Sequence, residues 1–584
     1  MTFTVGLLNE VDSFNPFNGI EAESYEMWAL TYDFLVGYSM KDMSPQPALA
    51  ESWDTSEDGL TWTFNMRDDV TWSDGEPLTA NDVAYTYNRV LDGGPEAASW
   101  SSYLTSVDTI EATDDYTVEM KLSKPNAVLP LLPIPILPEH VWKDVSEDEV
   151  KSYAAEPTDN QPVVGSGPFR LVEGTAGGDT YRFEANPDYW GGAPHVDQVV
   201  YRVYKSEDPA VQALIKGEID FVVGISALQV EALQSEEGIT AHNGDSPSFD
   251  EIAFNVGARD PKTEEPIGDG NPALEDPAFR HALGYAVDFD QLIEKVYQGA
   301  GKVGDSIIPP AYSTWRWEPS EDQAFSFDLE KAGQLLDEAG YTMGDDGKRT
   351  MPDGSPIGTL RLYARSESKT SINVMNYFQE WLTQLGIDSE VTAYESNKLT
   401  NIILDGEFDV FEWGWYVEPD PDSILSYFTC DQRGGWSDSW YCDEDYDRMY
   451  YEQNSAVDDA TRVEIVKQMQ EKLFMESPYL VTAYSTIGEA VRTDRFACFQ
   501  PQPDPGGVWI MQYGSHNYTQ LRPADEAGDC DGVKTAIGAT GDTSSTDEGI
   551  GTGVWIGIGV LAGLVVIGGL VFAMRRRSTA AERE

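Results

Sequence analysis

The stretch that decides the fold is "VVYRVYKSEDPAVQALIKGEIDFVVG", residues 199–224. An apolar run that ends at Val203 predicts a strand, Pro209 lies at the start of a predicted helix, and Gly217 lies at its end. The apolar residues of "IDFVV" predict a second strand. A strand, a helix and a strand in this order form the unit from which α/β domains are built. The sequence therefore predicts an α/β fold.

Helices and strands continue to alternate along the chain. "FDLEKAGQLLDEAGY" runs from a predicted cap at Asp328 to a stop at Gly340, and "INVMNYFQEWLTQLGIDSEV" passes from a helix through Gly386 into a strand. Thr79 and Asp82 have the spacing of a capping box at the start of another helix. "TWTFNMR" alternates apolar and polar residues, which is typical of a half-buried strand. These patterns predict mixed sheets.

Length and charge limit the architecture and the partners. The chain has 584 residues, more than the roughly 250 to 300 at which a single core stops growing, so two or more lobes are expected. Its 101 acidic and 38 basic residues give a formal charge of −63, which would repel phosphate backbones and excludes nucleic acid as a partner. So acidic a surface serves solubility, including in salty surroundings, or attracts cationic solutes.

The C-terminal region predicts a membrane anchor. Residues 554–574 are 21 uncharged residues, about 31 Å of helix, enough for one bilayer crossing. Three arginines follow at once, and the positive-inside rule keeps them in a short cytoplasmic tail, residues 575–584. The large N-terminal domain is then extracellular. The small polar residues before the span predict a flexible stalk, residues 531–553.

Two further features bear on export. The chain opens on "MTFTVGLLNEVDSFNPF" without the basic start and apolar run of a signal peptide, so we expect that a signal was cleaved or was lost in start-site assignment. An even number of cysteines without metal-ligand spacing predicts two disulfides, with zinc as the alternative. Three connectivities are possible; we favour the pairings that close short loops, Cys430 with Cys442 and Cys498 with Cys530.

Several longer stretches resemble family 5 extracellular solute-binding proteins, the oligopeptide- and dipeptide-binding components of ABC importers. The most specific is "PQPALAESWDTSEDGLTWTFNMRDDVTWSDGEPLTANDVAYTYNRV". The others follow in the family's order: "GSGPFRLVEG" with "RFEANPDYWGGAPHVDQVVYRVY", then "GEIDFV", "DPAFRHALGYAVDFDQLI" and "FDVFEWGWYVEPDPDSILSYFTC". Together they span nearly all of residues 1–525.

The resemblance implies a periplasmic-binding-protein-like fold, with two hinged lobes around a ligand cleft and a subdomain inserted into the first lobe. Carried onto this chain, lobe one comprises residues 1–37, 162–257 and 484–530. The inserted subdomain is 38–161, and lobe two is 258–483. Such a protein captures a peptide-like solute by closing its lobes and delivers it to ABC permease subunits. We expect a monomer without a cofactor or a metal.

The candidate ligand site is "WGWYVEPDPDS", residues 413–423. It follows the buried strand predicted by "FDVFEW", and α/β folds usually place ligands at strand ends. In peptide-binding relatives an aspartate at the position of Glu418 pairs with the α-amino group of the peptide, and Trp415 matches a tryptophan of the cleft. Only one side of a strand can face the cleft, so Trp413 and Tyr416 either join the site or pack inward.

Each of the other candidate ligand-site residues has two possible interpretations. Asp420 and Asp422 either contact ligand or are solvated acids of a proline-bounded turn. Ser13 lines the cleft or belongs to the turn of "DSFNPF". Arg365 meets a ligand carboxylate or is an ordinary surface arginine. The tryptophans of "PPAYSTWRWEP" lie near the cleft or serve packing.

Alternatives to an importer component remain. One is a surface receptor of the same fold that senses solutes. Another is a protein for non-peptide solutes, because the family also includes members that bind sugars and nickel complexes. Paired carboxylates and tryptophans also occur in glycosidases. None of the five histidines lies in a nucleophile motif, and no HExxH or P-loop occurs, so we do not expect an enzyme.

Overall fold

The structure is a computed structural model that describes residues 1–92, 100–146, 149–158, 161–456, 458–526 and Cys530. The described residues form two compact units, one of Met1–Gly244 with residues 487–526 and Cys530, and one of Asp245–Thr486. The chain passes between the units twice, within the long strands Ile239–Phe254 and Tyr479–Arg492. The finer division into lobes and an inserted subdomain remains a prediction.

The elements alternate as the sequence predicts. The strands are β1 Thr2–Leu7, β2 Val36–Tyr38, β3 Pro45–Pro47, β4 Ala50–Thr55, β5 Thr61–Met66, β6 Val107–Asp114, β7 Thr117–Leu122, β8 Phe169–Glu173, β9 Thr180–Ala185, β10 Gln198–Val203, β11 Phe221–Ile225, β12 Ile239–Phe254, β13 Gly301–Val303, β14 Leu360–Arg365, β15 Ser389–Tyr394, β16 Val410–Tyr416, β17 Tyr479–Arg492, β18 Phe496–Ala497 and β19 Arg522–Pro523. The helices are α1 Ala22–Thr31, α2 Ala80–Leu91, α3 Glu139–Trp142, α4 Glu207–Lys216, α5 Ala227–Leu233, α6 Pro277–Gly284, α7 Phe289–Lys295, α8 Leu329–Glu338, α9 Lys369–Gln384, α10 Ser396–Leu404, α11 Asp422–Ser426, α12 Glu444–Asn454, α13 Asp459–Glu476 and α14 His516–Gln520.

The predicted strand–helix–strand unit is confirmed as β10, α4 and β11. Both strands pair in parallel with β1, which lies between them. Gly217 ends α4 in the left-handed conformation, with φ at 73°, a backbone geometry that favours glycine. The helix begins earlier than predicted, because Ser206, rather than a residue next to Pro209, is its N-cap. β17 and β9 extend this sheet in antiparallel fashion, and β8 pairs with β9, so the sheet is mixed as predicted.

A second, antiparallel sheet of the first unit has the order β4-β5-β7-β6. The predicted strand "TWTFNM" is β5 in its centre. The predicted capping box also forms, because the Thr79 and Asp82 side chains each accept from the other's backbone N–H at the start of α2. α2 buries Val83, Tyr87 and Val90 at helical spacing in the core of this unit. Local sequence signals therefore decided this part of the fold.

In the second unit, strands of the large mixed sheet pair in the order β15-β14-β16-β12. β14 is parallel to both β15 and β16, with α9 and α10 as the connecting helices, while β12 runs antiparallel to β16. Asp328 caps α8 as predicted, with its side chain accepting from the backbone N–H of Lys331. Val374, Phe378 and Val410 are fully buried in the core that joins α9 to the sheet. This sheet positions the candidate site at the end of β16.

No helix among the described residues is both long enough and apolar enough to span a membrane. The predicted stalk, residues 531–553, the predicted span, residues 554–574, and the predicted tail, residues 575–584, lie outside the described residues.

Candidate functional site

The end of β16 carries the candidate site. The first half of the strand is buried, and exposure increases from Trp413 to Tyr416. Alternation along a strand places Trp413 and Trp415 on one face and Tyr416 on the other. Tyr416 is 43% exposed, so the interpretation that it packs inward is wrong. The two tryptophans therefore share a face instead of dividing between the site and the core.

Trp415 belongs to a compact aromatic group with Tyr427 and Trp436. Its ring centroid lies 4.9 Å from that of Tyr427 and 6.2 Å from that of Trp436. The rings of Tyr427 and Trp436 are stacked, with centroids 5.3 Å apart and planes at 11°. All three residues are half-buried. Such flat, partly covered rings can stack on peptide groups or apolar side chains.

Glu418 lies beside this aromatic group. It is half-buried. Burial raises the pKa of the Tyr427 hydroxyl, and the negative charge of Glu418 raises it further. A carboxylate next to three aromatic rings offers a ligand ammonium group an anionic partner with apolar surroundings. The structure thus brings Trp413, Trp415 and Glu418 together in the second unit.

Arg365 is not the surface arginine that one interpretation expected. It is 1% exposed, and its Nη2 donates to both carboxylate oxygens of Glu412, at 3.1 and 3.0 Å. Its guanidinium carbon lies 4.9 Å from the ring centroid of Trp413. The sequence missed this partner because Glu412 lies within an apolar strand and 47 residues from Arg365. The geometry supports a role for Arg365 in fixing Trp413.

Asp420 and Asp422 are not solvated acids, so that interpretation is wrong. Asp420 accepts two hydrogen bonds from the buried guanidinium of Arg462, at 2.5 and 2.7 Å. Asp422 accepts from Tyr450, Gln453 and Asn454 of α12, and burial raises its pKa. Both carboxylates therefore fix the turn after β16.

The remaining candidates have local roles. Ser13 belongs to the first unit, where its Oγ accepts from the backbone N–H of Asn15 at 3.0 Å, as the turn interpretation expects. Trp315 lies against Arg462, with 4.8 Å between ring centroid and guanidinium carbon. The ring of Trp317 packs 5.3 Å from that of Phe474. These contacts agree with packing.

Sequence reasoning missed a group of buried acids next to β16. Glu251 lies directly opposite Trp413 on β12, and therefore on the face of the two tryptophans, while Asp250 lies opposite Gly414 on the other face. Burial raises the pKa of Asp250 to about 7, with a further rise from Glu412 and an opposing effect of Arg365. Adjacent acids inside the apolar strand "SFDEIAF" were the signal that could have revealed them.

Asp438 completes this acidic group. It is 8% exposed and accepts a hydrogen bond from the Tyr479 hydroxyl. Burial raises its pKa to about 7, against hydrogen bonds that lower it, of which the one from Tyr479 is the largest. In the part of the chain that the structure describes, no three His, Cys, Asp or Glu side chains are arranged to hold a metal ion.

Both disulfides occur with the favoured pairing. Cys430 bonds to Cys442, 12 residues away, and Cys498 bonds to Cys530, 32 residues away. Zinc binding by these cysteines is thereby excluded. The first disulfide closes the loop that contains Trp436 and Asp438, so it constrains two residues of the site.

The chain is similar to several known proteins. The dipeptide-binding protein of Escherichia coli is 25% identical over 509 residues, covering 83% of this chain and 89% of that protein. The ABC transporter substrate-binding protein CtaP of Listeria monocytogenes superimposes with a TM-score of 0.71 at 23% identity, covering 90% of this chain and 99% of that one. The oligopeptide-binding protein AppA of Bacillus subtilis, solved with a nonapeptide, superimposes with a TM-score of 0.63 at 23% identity, covering 90% of this chain and 99% of that one.

These solved structures show the fold, which is a periplasmic-binding-protein-like α/β fold with mixed sheets. The family model of the bacterial extracellular solute-binding proteins, family 5 (middle), matches residues 44–436. This range includes β3 to β16, the aromatic group and Glu418. The chain therefore belongs to the family 5 bacterial extracellular solute-binding proteins.

Proposed function

We propose that the chain is the solute-binding component of an ABC importer, that it captures a peptide-like solute and that it passes this solute to permease subunits. The observation that carries the proposal is the placement of half-buried Glu418 beside the aromatic group of Trp415, Tyr427 and Trp436. A carboxylate removed from bulk water forms a charge-assisted hydrogen bond with an α-ammonium group, worth about 1.5 to 3 kcal/mol. The rings provide the apolar contact that a peptide needs.

Thermal-shift screening tests the solute class. Peptides, sugars and metal chelates are added to the full chain in detergent, because a ligand that binds the native state raises the melting temperature. A dissociation constant near 1 μM corresponds to a binding free energy of about −8 kcal/mol, tight enough to capture the solute and weak enough to release it to the permease. At a hundredfold excess over this constant, a peptide stabilises the protein by about 2.7 kcal/mol. A shift with sugars or chelates but not with peptides would reject the peptide proposal.

We further propose that residues 554–574 anchor the protein in the cell membrane, with the large domain outside and the tail in the cytoplasm. The support is the length of the uncharged run and the three arginines after it. A variant that ends at Gly553 should leave the membrane fraction, and a protease added to intact cells should cleave the large domain of the unaltered protein. Retention of the shortened variant in the membrane would contradict the anchor.

Importer component and surface sensor differ in their partner. Crosslinking in intact membranes followed by isolation of the tagged protein should recover permease subunits of an ABC importer. Recovery of a signalling protein without a permease would favour the sensor. A cleaved peptide in the thermal-shift samples would favour the alternative that the protein is an enzyme.

A further inference from the structure

Glu251 is a fully buried acid whose carboxylate has no hydrogen-bonding partner in the part of the chain that the structure describes. It is 0% exposed, and neither Oε1 nor Oε2 has a hydrogen bond within the described residues. A buried carboxylate without a partner is costly, since almost all buried polar groups in folded proteins are hydrogen-bonded. Glu251 lies on the face of β12 that is shared with Trp413 and Trp415. The position therefore requires a physical explanation.

The nearest charge effects on Glu251 come from other acids. After burial, Asp438 raises the pKa of Glu251 most, followed by Glu412 and Asp250, and Arg365 opposes them. Arg365 already donates to both oxygens of Glu412. The other polar neighbour is the hydroxyl of Tyr479, which donates to Asp438. Among the described residues, the pair of Glu251 and Asp438 thus has no cation of its own.

Two neighbouring carboxylates in a buried place cannot both be ionised without a positive charge between them. They either hold a proton or bind a cation. The indole of Trp415 adjoins the same pair, because it lowers the pKa of Asp438 against the effect of burial, and its Nε1 is buried without a hydrogen-bond partner among the described residues. Aromatic faces next to paired acids suit a basic side chain, since the rings cover its methylene groups and attract its charge.

We propose that Glu251 and Asp438 form a subsite for the basic side chain of a peptide ligand, whose ammonium group replaces a proton held by the two acids. The inference rests on the proposed function and narrows its solute class to peptides with a lysine-like side chain. The displaced proton passes to the solvent. The methylene groups of the side chain lie along Trp413 and Trp415, and Glu418 is the proposed partner of the α-ammonium group.

The exchange of a proton for a cation makes binding depend on pH. Burial raises the pKa of Asp438 to about 7, so the pair holds its proton at lower pH and competes with the ligand. Affinity for a basic peptide therefore increases as the pH rises through about 7, and one proton is released for each peptide bound below that pH. The affinity for a peptide with a neutral side chain of equal length should not increase as the pH rises.

Isothermal titration calorimetry with two matched tripeptides tests the inference. Alanyl-lysyl-alanine and alanyl-norleucyl-alanine share the α-ammonium group and the methylene groups, and differ in the side-chain charge. The full chain in detergent is titrated at high salt, which screens its surface charge. We expect the lysine peptide to bind at least about tenfold more tightly, a difference of about 1.4 kcal/mol. Its advantage should grow from about pH 6 to about pH 8, with proton release measured in buffers of different ionisation enthalpy.

The variant Glu251→Gln should remove both the lysine preference and the proton release. The readout is the ratio of the affinities for the two peptides, because a general loss of binding does not change this ratio. Asp438→Asn should also remove the lysine preference and the proton release. Asp250→Asn is the matched control, because Asp250 is the adjacent buried acid on the opposite face of β12. This variant should keep the ratio of the two affinities.

Equal affinities for the two peptides, or a preference that survives in Glu251→Gln, would overturn the inference while the peptide function stands. If neither peptide binds, the proposed function and this inference fail together.

Discussion

Arg365 and Glu412 form an ion pair that is shielded from solvent beneath the candidate site. Nη2 of Arg365 lies 3.0 and 3.1 Å from the carboxylate oxygens, and the two residues are 1% and 0% exposed. The pair joins β14 to β16, and the guanidinium lies against the ring of Trp413. It therefore connects the sheet to the aromatic surface that the ligand is proposed to meet.

Arg365→Met should destabilise the protein by about 3 to 5 kcal/mol, because Glu412 would remain buried without its counter-charge. Urea unfolding at neutral pH measures the change. The double variant Arg365→Met with Glu412→Leu should lose less stability, since no buried charge is then left without a counter-charge. A single variant as stable as the unaltered protein would show that the pair is not formed in solution.

Glu418→Gln should weaken binding of a peptide with a free α-ammonium group by about tenfold or more, the equivalent of a charge-assisted hydrogen bond. The melting temperature without ligand should hardly change, because Glu418 is only half-buried. Calorimetry gives the affinity. Glu464→Gln, at an exposed position of α13 in the same unit, controls for the loss of one negative charge. Equal affinity for Glu418→Gln and Glu464→Gln would remove Glu418 from the site.

Replacing Cys430 and Cys442 by serine should cost about 3 kcal/mol of stability, as expected for a loop of this length. Peptide affinity should also decrease, because the released loop carries Trp436, whose ring stacks on Tyr427. Both are measured well below the melting temperature. Replacing Cys498 and Cys530 is the control, since that disulfide lies in the other unit and should alter stability without the loss of affinity.

The free energy of unfolding should decrease from about pH 5 to about pH 8. Burial raises the pKa of Asp250 and Asp438 to about 7 and that of Glu26 to about 8, above the ordinary range of 3.8 to 4.5. The folded state thus binds more protons than the unfolded chain, and the stability this confers is complete below about pH 4 and is lost as the pH rises through 7 to 8.

Urea titrations at high salt separate this effect from repulsion between surface acids, because exposed charges are screened and buried ones are not. Glu26→Gln and Asp250→Asn should each flatten the pH dependence. Stability that increases across the same interval would contradict the assignment of these acids as protonated in the folded state.

Local signals predicted the fold well. Gly217 and Asp328 ended and began the helices that the sequence assigned to them, because a cap depends on residues a few positions away. The roles of the acidic residues near the site were harder to predict from the sequence. Asp420 had two interpretations, a ligand contact or a solvated acid of a turn, because its partner Arg462 is 42 positions away and no local pattern reveals such a pair. The acids Asp250 and Glu251 were overlooked, although carboxylates inside an apolar strand are a recognisable anomaly.

For the membrane-anchored protein that we propose, the disulfide between Cys498 and Cys530 has a mechanical consequence. Cys498 directly follows β18, and Cys530 lies beyond β19, the strand that pairs with β18. Tension in the chain after Cys530 enters the first unit through a covalent bond at Cys498. The weak two-residue pairing of β18 with β19 carries none of this load, so a pull from the proposed anchor does not separate β19 from β18.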